Sequence, residues 1–383
     1  MSEKRNVRLL GKSFDYLLDP KLREKERGDE LLTIRDVEIG NAKFQYLHWK
    51  NINFINCDFV GAYEIKLTSM ESCSFEGCRF SGIFAWGVQT NVRFISCGVA
   101  GASHLWGGEG SKGVFYEQCN FVGTDPDSNH WGSVGTYGEV TFSRCEGKWI
   151  GVLGHSLLLI QDCIFESMDC KIDPAESKGV VPVAVISGSK LRGTFDMASS
   201  SFQSLIIRDT VMDNLDLSGA TINGDIVMER VRGGTVKAFI EGAQRLIVKN
   251  CQFTPRPGIN FEFSLASNEA REVLIQDTSI TGDNILVDIG GGPNTESMVF
   301  ERSKLTRLDL QYTHTEKLLL KEFEANTVRL NDARIGALEF DNANFSYTLD
   351  LSNTQVKSFK QSGGTRLKTL AGFKLDGSNI KLN

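Results

Sequence analysis

Residues able to do chemistry cluster early in this 383-residue chain. All five tryptophans (Trp49, Trp86, Trp106, Trp131, Trp149) and four of the five histidines (His48, His104, His130, His155) lie before residue 156. Between 100 and 156 they keep company with Glu109, Asp125, Asp127 and Tyr137, in the glycine-rich segments GASHLWGGEGSKG, TDPDSNHWGSVGTYGE and GKWIGVLGHS. Three readings of that group stand side by side. Trp and Tyr are favoured anchors of protein interfaces, and irregular loops on a rigid scaffold often carry binding. The same large aromatics also serve as packing over a wide turn of chain. Third, Asp125 and Asp127 resemble the carboxylate pairs that do acid–base work on polysaccharides. DPDSN is equally a turn, with Pro after Asp at the position where it pre-sets the backbone.

Motifs that would make a catalyst specific are missing. The sequence contains no H-E-x-x-H, G-x-S-x-G, Walker A or C-x-x-C, and Gly290-Gly291-Gly292 before Pro293 lacks the strand-to-helix setting of a phosphate loop. We therefore assign no catalytic residue and expect neither metal nor cofactor. The candidate partner-binding set is His104, Trp106, Glu109, Asp125, Asp127, His130, Trp131, Tyr137, Trp149 and His155.

Positioning such residues falls to a rhythm most plainly visible in residues 328–358. Broken every five, the segment reads VRLND, ARIGA, LEFDN, ANFSY and, after Thr348, LDLSN and TQVKS. The third places hold Leu330, Ile335, Phe340, Phe345, Leu351 and Val356. Alternate spacings of two and three match neither a helix nor a sustained flat strand. They suit a chain that runs straight briefly, turns a corner and repeats, so that four sides close a coil of about twenty residues and stacked coils bury one core. All nine cysteines fall at the first place of this unit, where a small inward side chain belongs. Free thiols there behave as small buried hydrophobes, and an odd number of them suits a reducing cytosol. The start, MSEKRNVRLLGKS, lacks an apolar signal core, and no run approaches the roughly 18 apolar residues of a membrane helix.

The unit resembles the pentapeptide-repeat family through Leu215–Gly219 (LDLSG), Ala220–Gly224 (ATING), Ala343–Tyr347 (ANFSY) and Leu349–Asn353 (LDLSN), although the usual second-place Asp or Asn is replaced by Arg79, Arg334 and Gln355. That resemblance implies an all-β fold, a right-handed quadrilateral parallel β-helix. We expect it over residues 32–383, with loop insertions near 100–156 and 254–297. Residues 1–31 lie outside the repeat. Their DPKLREKERG segment reads as a short helical cap over an open solenoid end.

Charge bears on partners. The net −6 conceals +1 in residues 1–31 and +5 in residues 355–383, leaving −12 on the body between them. An acidic body disfavours direct nucleic-acid binding and attracts basic protein surfaces. Some pentapeptide-repeat proteins mimic DNA and bind enzymes such as gyrase, and many dimerise through their C-terminal coils. The resemblance thus implies a non-catalytic cytoplasmic protein that inhibits or protects a macromolecular partner, of DNA-mimic or toxin-neutralising type, with a homodimer through the C-terminal coils. A polysaccharide-active β-helix enzyme with carboxylates near residues 104–155 is the alternative.

Overall fold

A computed structural model of the chain describes residues 30–40, 45–60, 65–100, 104–122, 134–154, 157–171, 183–255, 261–265, 270–283, 285–290, 295–365, 367 and 370–381. The expected N-terminal cap lies outside these. The described residues form an all-β parallel solenoid with no helix among them. Two compact units divide the chain, Met1–Phe195 and Asp196–Asn383.

Each unit is a stack of parallel rungs. In the first unit, Leu32 pairs with Ile52, Phe54 with Phe75, Phe75 with Phe94, and Val114 with Val140. In the second, Leu205, Ile226, Leu246, Val273, Met298, Leu318, Leu338 and Phe359 occupy one column across eight strands. Ile226 to Leu246, Met298 to Leu318 and Leu318 to Leu338 are each 20 residues apart, the coil length expected from a four-sided five-residue repeat. Leu246 to Val273 takes 27 residues and Val114 to Val140 takes 26, so the extra chain of the interrupted zones is accommodated while these core positions still pair rung to rung.

One corner repeats on every coil. Asp36, Asn56, Gly77, Ser96, Gln118, Arg144, Asp162 and Gly188 in the first unit have φ near +50° to +60°, as do Asp209, Arg230, Asn250, Asp277, Arg302, Glu322, Asn342 and Gly363 in the second. Asn, Asp and Gly tolerate this left-handed conformation, whereas Arg and Glu hold it against their intrinsic preference. The ladder compensates: the amide of every non-glycine corner residue named here donates to a carbonyl of the next coil, as Arg230 N does to Lys249 O at 2.9 Å.

Behind the corner, the next residue points inward. In the first unit this column is Val37, Cys57, Cys78, Cys97, Cys119, Cys145 and Cys163, ending at Ser189. The Cys57, Cys78, Cys97, Cys119 and Cys145 thiols adopt one geometry, each within 3.3–3.6 Å of the carbonyl two residues earlier and of a carbonyl on the preceding coil. All nine cysteines are free and buried, as their phase in the repeat requires. Burial, with the Glu229 charge adding to it, pushes the Cys251 thiol up to about 11, so it stays neutral at physiological pH.

Aromatic rings fill the centre of the first unit. Phe54, Phe75, Phe94, Tyr116 and Phe142 stack face to face, coil upon coil, with centroids 4.6–5.1 Å apart. Phe59 and Phe80 form a second column at 4.9 Å, set edge-on to the first. Strand spacing of about 4.8 Å is what allows ring stacking to repeat with the backbone. Trp49 and Trp86 belong to this core, with 1% and 0% exposure. The second unit fills the same space mainly with Leu, Ile, Val and Met.

Candidate functional site

The Trp/His group is only partly within the described residues. Asp125, Asp127, His130, Trp131 and His155 lie outside them. His104, Trp106 and Glu109 sit on the strand His104–Glu117, Tyr137 on Val134–Ser143 and Trp149 on Glu146–Gly154. Much of the stretch that reads as loop in the sequence is therefore ladder. Backbone pairing brings Trp106 beside Gly135 and Gly135 beside Leu153, which sets these three strands edge to edge. Glu109 is exposed. The glycines make this irregular ladder possible: a Cβ on Gly138 would collide with the Ser111 carbonyl, and one on Gly108 would lie 2.8 Å from the Gly87 carbonyl carbon. Register shifts on both sides of Gly107 take up the mismatch.

In the second unit the repeated corner bounds an open groove of about 760 Å³. Asn250, Asp277, Arg302 and Glu322 line one wall, Arg232, Gln252, Ser279, Lys304 and Glu324 the other, and Cys251, Thr278 and Ser303 the floor. Its charges are largely paired. Arg302 grips Asp277 through Nε at 2.7 Å and a second nitrogen at 3.0 Å, and Lys304 reaches Glu324 at 3.1 Å. The guanidinium beside it holds the Asp277 carboxyl below the usual range. The same coil-to-coil pairing recurs at Asp209–Arg230, Asp225–Arg245 and Glu301–Lys321. Much of the acidic surface is thus interleaved with cations.

A third feature went unseen in the sequence. On the strands carrying LIIR, IVME, LIVK, VLIQ, MVFE and LLLK, the first and third apolar residues point inward and are buried. Alternation sends the middle one out. Register then stacks Ile206, Val227, Ile247, Leu274, Val299 and Leu319 into one outward column, every member half-buried. Charged residues rim it on both sides. Asp225, Arg245, Glu272 and Lys317 stand two places before the stripe, and Arg208, Glu229, Lys249, Glu301 and Lys321 two places after it. Glu339 and Lys360, paired with each other, end the column. An apolar centre within a polar rim is the anatomy of a protein interface. Periodicity could have found it, since three consecutive apolar residues on a strand with one buried face leave one facing solvent.

Coverage also falls away along the last rungs. Val356, Phe359, Phe373 and Leu375 are half-buried, whereas Ile335, Leu338, Leu349 and Leu351 in the same columns are buried.

With rungs, corner and coil length in hand, the architecture speaks for itself. The fold is consistent with the pentapeptide-repeat family. No family model matches the chain, and no curated protein matches it. Among solved structures it is similar to QnrB1, a plasmid-mediated fluoroquinolone resistance protein, at 13% identity over 65% of this chain and 91% of that one, with a TM-score of 0.14. A score that low carries no functional argument, and the fold rests on the ladder itself. Among the described residues no helix is long and apolar enough to cross a membrane.

Proposed function

We propose that the protein is a non-catalytic binding protein that engages a protein partner through the outward apolar stripe of its second unit. The observation that carries this reading is the six-residue column Ile206–Leu319, held in register by the backbone and rimmed by both signs of charge. Exposed apolar surface weakens solubility, and a stripe sustained over six coils is what a docking surface requires. Its rigidity lowers the ordering cost of association. The acidic body adds attraction for basic surfaces, in the manner expected of an inhibitor or a protector of a macromolecule acting in the cytoplasm. Interleaved ion pairs favour this protein-docking reading over DNA mimicry, which needs rows of unpaired carboxylates. The Trp/His set, from His104 to His155, remains a proposed second contact. A homodimer through the C-terminal coils is the competing placement of self-association, and the half-burial of Val356, Phe359, Phe373 and Leu375 is the observation in its favour.

Affinity capture from the native host tests it. The protein captured by the wild type should be lost with Ile247→Glu/Leu274→Glu while the melting temperature holds. Retention of that partner by the folded double variant would contradict the assignment.

A further inference from the structure

The rims of the stripe carry more than polarity: their order of charges is self-complementary. Counted by rung from Ser204–Arg208 to Arg334–Asp341, the column after the stripe reads Arg208, Glu229, Lys249, Gln276, Glu301, Lys321, Asp341. Read from both ends toward Gln276, each position meets its opposite: Arg208 with Asp341, Glu229 with Lys321, Lys249 with Glu301. From this we infer that the stripe's partner is a second copy of this chain, packed face to face about a two-fold axis along the strand Glu272–Gln276. The inference rests on the protein-docking reading above and names its occupant.

In that arrangement Leu274 meets Leu274 of the second copy, Ile247 meets Val299 and Val227 meets Leu319, while Ile206, at the end of the stripe, meets Glu339. Gln276 meets itself, able to donate and accept. On the other rim Asp225 faces Lys317 and Arg245 faces Ser297. Glu272 meets its own copy on the axis, the one like-charged pair in the set. Arg245 stands one rung away, within electrostatic reach of Glu272. This is an isologous interface, closed by its own symmetry.

The two nearest registers fail on charge. Sliding one copy by one rung sets Arg208 on Lys321 and Glu229 on Glu301. The opposite slide sets Glu229 on Asp341 and Lys249 on Lys321. Turning the axis to run along the stack places Asp225 on Glu229, Arg245 on Lys249 and Lys317 on Lys321. Like charges so juxtaposed oppose association. Seven rungs at about 4.8 Å and five residues at about 3.3 Å give a face of roughly 34 by 17 Å. Two such faces bury on the order of 1,000 Å², the lower bound for a specific interface.

Sedimentation velocity on the full chain tests this. The wild type should be a dimer at tens of micromolar. Leu274→Glu should be monomeric, and because its side chain points out its melting temperature should equal that of the wild type at concentrations where both are monomers. Lys249→Glu should weaken the dimer at least tenfold, and adding Glu301→Lys to it should restore association. Phe359→Asp, at the C-terminal rung, should leave this dimer intact. A monomeric wild type at 100 micromolar would overturn the inference. If Leu274→Glu still abolished capture of another protein, the docking surface would stand and only its occupant would be wrong. A dimer indifferent to Leu274→Glu but lost with Phe359→Asp would also overturn it and move self-association to the C-terminal coils.

Discussion

Neighbouring residues on the strand Arg245–Lys249 should respond very differently to the same truncation. Leu246 is fully buried and inward, while Ile247 is outward and half-buried. Leu246→Ala removes three carbon atoms' worth of packing from a site walled by rungs above and below, and Leu→Ala at such sites costs about 2–5 kcal/mol. Ile247→Ala removes a comparable volume, but part of it already touches water and no closed cavity is left. At about 0.8 kcal/mol per fully buried methylene, that loss is about 1.5–2 kcal/mol. The difference should therefore be about 1–2 kcal/mol, or several degrees of melting temperature at about 2–4 °C per kcal/mol for a unit of this size. Urea unfolding at concentrations where the chain is monomeric reads it directly, with equal m-values as the check that neither variant alters the exposed surface. Equal losses, or a larger loss for Ile247→Ala, would refute the alternation. They would mean that the strand is slipped by one residue and that its other face is the core.

Two further outcomes follow from burial and charge. Burial, with the neighbouring Asp309 carboxylate second, raises the Asp288 carboxyl above its usual value. A raised acid favours folding as pH falls toward its folded value and opposes folding once ionised, so Asp288→Asn should raise the melting temperature at pH 7 and lose that advantage near pH 4; an unchanged or lower value at pH 7 would contradict it. All nine cysteines are buried, so a thiol reagent such as DTNB should label the native chain slowly and release nine equivalents on denaturation; rapid native labelling at Cys97 or Cys163 would contradict the inward column.

Much of the fold is legible in the sequence because two independent series mark the same phase. Large apolar residues such as Leu330, Phe340 and Leu351 recur at the third place, and cysteines fall at the first. Both point inward, and both are buried in the structure. The corner is less legible. Asn56 and Asp209 advertise a left-handed turn, but Arg144, Arg230 and Glu322 adopt the same φ only because the adjoining coils impose it. The glycine-rich stretch around 104–117 looks like loop, since its irregular spacing hides register shifts that a parallel ladder absorbs. The candidate site was least legible. Trp106 and Trp149 are conspicuous by type, whereas Ile247 and Leu274 look like ordinary core residues until the alternation of their strands is fixed. A surface built from one residue per coil leaves no contiguous motif.

Cross-linking at the axis tests the docking face most directly. Leu274→Cys places one outward-facing thiol where two copies meet, against a background of buried native cysteines. Mild oxidation should yield a covalent dimer from Leu274→Cys and little from Tyr312→Cys, an exposed control on the same unit. Equal yields from the two positions, or no dimer from Leu274→Cys, would contradict the stripe as the interface between two copies.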